Sequence, residues 1–232
     1  SMEARDIRPS RIEAAKLVGA EFIQNSPNDN IGLVLFGGEA FMQCPLTTDH
    51  TALLSLLNNV SCQLATSGII APGTAIGMGL ANSVNHLQNS KAKSKVIILL
   101  TDGIDNTGEI SPQMAAELAK ENNVRVYTIS VGGNDTSVGL NMQGEIVSED
   151  KDLDATDVLK NIAEITGGKY YQADSREKLK QIYSDIDKLE KTKLDKQNFE
   201  KKYDAFQIFA FIALTLLVLE ILVRYIWFRR IP

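Results

Sequence analysis

The chemistry legible in this chain rests on a few oxygen-bearing side chains. In "LLTDGIDNTG", Leu99 to Gly108, an acid, Asp102, stands where the apolar run "KVIILL" stops, and a second acid, Asp105, follows in the turn. Thr74 lies in "APGTAIG", directly before a stretch of helical periodicity, and Ser1 opens "SMEARD". One carboxylate plus hydroxyls converging at a sheet edge is a hard-oxygen set suited to Mg²⁺, which takes few protein ligands and keeps waters or accepts a partner's oxygen. Mn²⁺ and Ca²⁺ are the other candidates for the same donors. Each residue also has a plain structural use. Asp-Gly is a turn in which the acid accepts backbone N–H bonds, and the Thr74 hydroxyl could cap the helix after it. Asp105, Asn106 and Gly108 read as turn formers that bind nothing.

Other chemistries have less to work with. Cys44 and Cys62 are the two cysteines and, with His50 and His86, match no familiar zinc spacing; a Cys44 to Cys62 disulfide stays open. The formal charge of −5 disfavours a nucleic-acid partner, which needs a basic face. A nucleotide loop at Gly77–Asn82, "GMGLAN", lacks a third glycine and lies inside a helical pattern rather than before one.

The elements that must position these residues alternate. "PSRIEAAKLVGAEFIQ" carries a capping box, Ser10 with Glu13, and sets Ile12, Ala15, Gly19 and Phe22 on one helical face. A strand is expected at Ile31–Phe36, and a short one around Phe41–Cys44 that Pro45 marks as an edge or an end. Helices are expected over Thr48–Asn58, around Ile76–Leu87, from Ser111-Pro112, from Asp154 to Gly167-Gly168, and after a cap at Asp174, the last burying Leu179, Ile182, Ile186 and Leu189. Between them lie strands Lys95–Leu100 and Val124–Val131, a small hairpin across Leu140–Val147 turning at Gln143-Gly144, and "KYYQA". Strands apolar on both faces, alternating with helices, imply an α/β domain with a doubly wound, mostly parallel sheet. Ligands of such sheets bind beyond the carboxyl ends of the strands, where Asp102 falls.

The C-terminus has a different character. "AFQIFAFIALTLLVLEILV", Ala205 to Val223, is nearly unbroken apolar sequence of about the 20 residues a transmembrane helix needs. Glu220 is one turn from Arg224, the aromatics Tyr225, Trp227 and Phe228 follow, and Arg229 and Arg230 precede the end. The resulting division is a globular domain over 1–188, a charged helical linker over 189–204, a transmembrane helix over 205–227 and a basic tail over 228–232. Lysines from Lys191 to Lys202 crowd the other flank of the span, so charge alone leaves its orientation open.

The chain resembles the von Willebrand factor A domain, and more closely the membrane-anchored aerotolerance (Bat) proteins of bacteria. The segments that carry the resemblance are "SMEARDIRPSRIEAAK", "PGTAIGMGLA", "VIILLTDGIDNTGEISPQMAAELAKENNVRVYTISVG", "LKNIAEITGGKYYQADSREKLKQIYSDIDKLEK" and the ending "RRIP". It implies a metal-ion-dependent adhesion site built from D-x-S-x-S on a first loop, a Thr on a second and an Asp on a third. Ser1 would be the final Ser of the first motif, Thr74 the second-loop Thr and Asp102 the third-loop Asp. The leading Asp and first Ser are absent, as is the strand before them, which the family places between the strands at Ile31–Phe36 and Lys95–Leu100. The resemblance thus implies a fragment of a longer protein with N-terminal membrane spans.

Its functional implication is a non-enzymatic, membrane-tethered interaction domain in which the metal bridges to an acidic side chain of a partner protein. It further implies a place in the bacterial inner membrane, with the domain in the periplasm and the Arg-rich tail in the cytoplasm. Related membrane proteins of the same family and a MoxR-type AAA+ ATPase are the implied associates, in a cell-envelope setting of oxygen tolerance and stress. Two other classes compete. One is a Mg-dependent phosphoacceptor or phosphotransfer domain using Asp102, for which no acidic pair or positioned lysine is visible. The other is a purely structural membrane assembly protein with a vestigial metal site.

Overall fold

Alternating apolar strands and amphipathic helices fold as the periodicity requires, each burying its apolar side against the next. The computed structural model describes residues 2–62, 71–103, 105–132, 138–140, 146–148 and 151–227. It divides into two units, Ser1–Ile186 and Asp187–Pro232. In chain order the elements are α1 (Arg11–Asn25), β1 (Ile31–Phe36), β2 (Ala40–Thr47), α2 (His50–Asn58), α3 (Ile76–Gln88), β3 (Lys95–Thr101) and α4 (Pro112–Glu121). There follow β4 (Val124–Val131), β5 (Val138–Leu140), β6 (Ile146–Ser148), α5 (Lys151–Thr166), β7 (Tyr170–Ala173) and α6 (Arg176–Trp227).

β3, β4 and β7 form a parallel sheet in that order, with Lys95 opposite Val124, Thr101 opposite Ser130 and Val131 opposite Ala173. Their carboxyl ends therefore lie along one edge. Ile76, Leu80 and Val84 of α3, the alanines Ala115, Ala116 and Ala119 of α4, and Leu159 and Ile162 of α5 pack with Ile97, Leu99, Val124 and Val126 in one core. Successive strand residues point to opposite faces, and Tyr127, Ile129 and Val131 are as buried as Val124 and Val126. The sheet is thus covered on both sides, as a doubly wound arrangement requires.

The hairpin β1–β2 forms a separate two-stranded sheet among the described residues. It is antiparallel, because the chain reverses tightly after Phe36, where the Gly37 amide donates to the Glu39 carbonyl at 2.8 Å. Among the described residues it is not hydrogen-bonded to β3, and α3 packs on both pieces. Of the two readings of Pro45, edge or end, the structure has the edge: β2 runs on to Thr47, and Pro45 lies exposed where the register shifts between the Ile31–Thr47 and Leu33–Cys44 pairs.

Most helix boundaries follow their caps. The Ser10 hydroxyl accepts from the Glu13 amide, and the Ser111 hydroxyl from Met114 with Pro112 in the first turn. Three expectations need correction. The buried residues of α1 are Arg11, Ala14, Val18 and Ile23, with Ile12, Ala15, Gly19 and Phe22 half-buried, so the inward face is turned from the expected one. Helix α2 begins at His50 instead of Thr48, since the Asp49 carboxylate takes the Ala52 amide. Helix α6 is capped by the Ser175 hydroxyl on the Lys178 amide, whereas the Asp174 carboxylate pairs with the Lys178 ammonium at 3.0 Å. Leu179, Ile182 and Ile186 are buried as expected, with Tyr183, while Leu189 is half-buried. The expected hairpin is present as β5–β6, its turn at Gln143-Gly144 lying outside the described residues. Cys44 and Cys62 are free.

In the second unit α6 continues to Trp227. Its large apolar side chains from Phe209 to Leu222 are 49 to 71% exposed. Among the described residues no helix is long and apolar enough to cross a membrane.

Candidate metal centre

The site is assembled at the carboxyl ends of β3 and β4. The Thr101 hydroxyl accepts from the Gly103 amide at 3.2 Å, turning the chain as it leaves β3 and setting Asp102 at the bend. The Asp102 carboxylate is 6% exposed, and its Oδ2 accepts from Arg11 Nη1 at 3.3 Å. Arg11 enters from the first turn of α1. Its Nε and Nη2 fork onto Asp6, with contacts at 2.9, 3.1 and 2.7 Å. The guanidinium lies flat against Gly132 at the end of β4, where φ is +137° and a Cβ would meet Arg11 Cζ at 2.6 Å, so glycine is required there twice over. The hydrogen bonds that Arg11 donates to Asp6 push its guanidinium above its ordinary pKa; burial works against them and Asp102 adds to them.

The second loop is held from both sides. The Gly38 amide donates to the Ala71 carbonyl at 2.8 Å and the Ala75 amide to the Gly37 carbonyl at 2.6 Å, tying the loop to the β1–β2 turn. On the other side the Thr74 amide donates to the Asn106 side-chain oxygen at 2.9 Å, and the Asn106 amide returns a bond to the Thr74 carbonyl at 3.0 Å. Asp105 accepts from the Ile76 amide at 2.6 Å and also takes the Gly77 amide, capping α3 from a different loop. Desolvation raises the Asp105 carboxyl pKa, opposed by these two N–H groups.

These contacts decide two of the sequence readings. Thr74 does not cap α3: the cap position is Ala75, which makes no side-chain capping bond, and Asp105 serves the first-turn amides. Asp105 and Asn106 are more than turn formers, because they clasp the second and third loops together; Gly108, at φ +117°, is the turn residue expected. The clasp was missed because it joins positions 29 and 32 residues apart, beyond any local motif. Arg11 and Asp6 were missed as well. Their signal was a basic residue on an otherwise apolar helical face, five residues after an acid.

The Thr74 hydroxyl, freed from capping, points toward the third loop and would lie 3.2 Å from a Cβ placed on Gly103, the neighbour of Asp102. Ser1 lies outside the described residues. Among the described residues no group of three or more His, Cys, Asp or Glu is placed to hold a metal, so the donor set around Asp102 is hydroxyl-based and carboxylate-poor. That composition fits a hard cation that keeps much of its water and does not fit a soft-metal cage. Cys62 is also close: burial first, and then the charges of Glu3, Asp102 and Glu13, raise its thiol pKa and favour the protonated form.

A parallel sheet covered on both faces, with a carboxylate and a hydroxyl from successive loops at its carboxyl edge, defines a class of metal-site α/β domains. Residues 1–185 match the von Willebrand factor type A domain, and the chain belongs to that family. An uncharacterised protein of Borreliella burgdorferi is 28% identical over 232 residues, covering 96% of this chain and 64% of the relative. The chain therefore spans a little under two thirds of that relative's length. Among solved structures, the conserved hypothetical protein BatB of Bacteroides thetaiotaomicron has a TM-score of 0.64 at 27% identity, over 82% of this chain and 94% of BatB. Proximal thread matrix protein 1 from the mussel byssus, described with a zinc-occupied MIDAS motif, has a TM-score of 0.58 at 24% identity, over 81% of this chain and 42% of its own.

Proposed function

We propose that this chain is a membrane-anchored interaction domain that captures an acidic side chain of a partner protein through a divalent cation. Thr74 and Asp102, with Ser1, would hold the ion, and the ion would supply an open coordination position for the partner's carboxylate. The observation that carries this reading is the Thr74 hydroxyl: the fold relieves it of capping duty and sets it beside the Asp102 turn. Mg²⁺ is the cation favoured by the hard, carboxylate-poor donors, and the zinc-occupied MIDAS of the mussel protein supports divalent occupancy of such a site.

The anchor is the apolar segment over 205–227, following a helical linker over 189–204 and ending in the basic tail over 228–232. Exposed large apolar side chains at consecutive positions such as Leu216, Leu217, Val218 and Leu219 point around the helix in all directions, a pattern that suits lipid better than water. The resemblance to Bat proteins supports a bacterial inner-membrane location with a periplasmic domain. It equally supports association with related membrane proteins and a MoxR-type ATPase in aerotolerance.

Partner capture by the full-length protein in detergent tests the metal. Binding is expected to fall at least about tenfold with chelator and to the same extent in Asp102→Ala. Unchanged capture in both cases would remove the cation from the mechanism.

A further inference from the structure

The segment between Met2 and Ser10 is pinned along its length. The Arg11 amide donates to the Ala4 carbonyl at 2.9 Å and the Ile12 amide to the Met2 carbonyl at 3.0 Å. Ile7 is buried at 2% exposure, and Asp6 is gripped by Arg11. With those residues turned inward, Arg5 and Arg8 are left on the outside. Together with Pro9 and Arg176, the first residue of α6, they line one open groove.

Three guanidiniums in one groove repel each other unless something anionic answers them. Two of the neighbouring acids are already engaged, Asp6 by Arg11 and Asp174 by Lys178. Among the described residues Arg5, Arg8 and Arg176 have no ion pair or side-chain hydrogen bond, and all three are exposed. Arginine forks match carboxylates two N–H groups at a time, and here they project from a loop held rigid at both ends and from a helix start, so little order is lost when an anion binds.

We infer that this groove is a docking site for an acidic segment of a partner protein, a run containing several Asp or Glu side chains, and that it binds without any metal. A protein segment is favoured over an anionic membrane surface because the groove is shared between two elements, the segment before α1 and the start of α6, so that an extended chain can reach all three arginines. The inference deepens the reading of the domain as an interaction module, since a partner acid seated on the cation would be followed or preceded by acids held here.

Fluorescence anisotropy of a labelled oligoglutamate peptide with the full chain in non-ionic detergent tests it, with chelator present throughout. The peptide is expected to bind, to weaken with rising salt, and to lose at least about tenfold in affinity in Arg5→Glu/Arg8→Glu and in Arg176→Glu alone. Asp102→Ala is expected to leave that binding unchanged. Absence of binding by the unsubstituted protein under these metal-free conditions would overturn the groove while sparing the metal reading, and failure of the charge reversals to weaken binding would overturn it outright. So would an arginine-dependent preference for phosphatidylserine vesicles over phosphatidylcholine vesicles, which would assign the groove to a lipid surface. A melting temperature unchanged in the reversed variants separates lost docking from lost folding.

Discussion

Strands β4 and β1 are both rich in Val, Ile and Leu, yet their surroundings differ. β4 is flanked by β3 and β7 and buried at six of its eight positions, whereas β1 is half-buried at every one. The hydrophobic gain follows area removed from water, so the same side chains stabilise the two regions unequally. Burial here is set by neighbours: β1 has β2 on one edge and, among the described residues, no strand on the other. The region of the site lies where these two environments meet, with Asp102 on the well-covered sheet and the second loop tied to the β1–β2 turn.

The sharpest way to break that contrast is to truncate one residue in each strand. Ile129→Ala, at a position with no exposure, is expected to cost about 4 kcal/mol, and Leu33→Ala about 1.5 kcal/mol, both read by urea denaturation. Equal costs would show that β1 is as fully packed as β4. Arg11→Ala comes next. It leaves the Asp102 carboxylate covered and without that guanidinium, for an expected loss of about 3 kcal/mol, taken from the lower end of the range because Asp6 is 32% exposed. Adding Asp102→Asn to Arg11→Ala should return part of the loss, and a strictly additive double mutant would mean that the two residues do not interact.

The smallest expected effect is at the clasp. Asp105→Ala removes the cap of α3 and should cost about 1 kcal/mol. Its pH dependence has a definite sign. Because the folded carboxyl is raised above its ordinary 3.8, the native state holds the proton that the unfolded chain has already released. Stability attributable to this group therefore falls as pH rises from 3.8 through the folded value and is flat beyond it. Asp105→Asn should abolish that slope; a difference between the variant and the parent that is constant from pH 3 to pH 7, roughly the span over which carboxylates titrate, would contradict it.

How much of this was legible beforehand depended on the range of the signal. Strand β4 and the starts of α1 and α4 were read correctly because periodicity and caps act within a few residues. The placement of Asp102 at the end of β3 followed from the parallel topology, which alternation alone implied. What sequence could not supply were choices made by distant partners. Ser175 rather than Asp174 caps α6 because Lys178 takes the acid, and Asp105 rather than Thr74 caps α3 because another loop reaches over. The antiparallel pairing of β1 with β2 is likewise read from the structure alone, because an apolar run does not reveal which of its edges is filled or in which direction.

The clasp between the second and third loops has a mechanical meaning. Thr74 is held through both its amide and its carbonyl, and the first turn of α3 hangs from Asp105, so the helix start and the turn after β3 have no slack between them. An axial pull on α3 reaches the Asp102 turn directly, as tension along a short tether, before any of the sheet has to give.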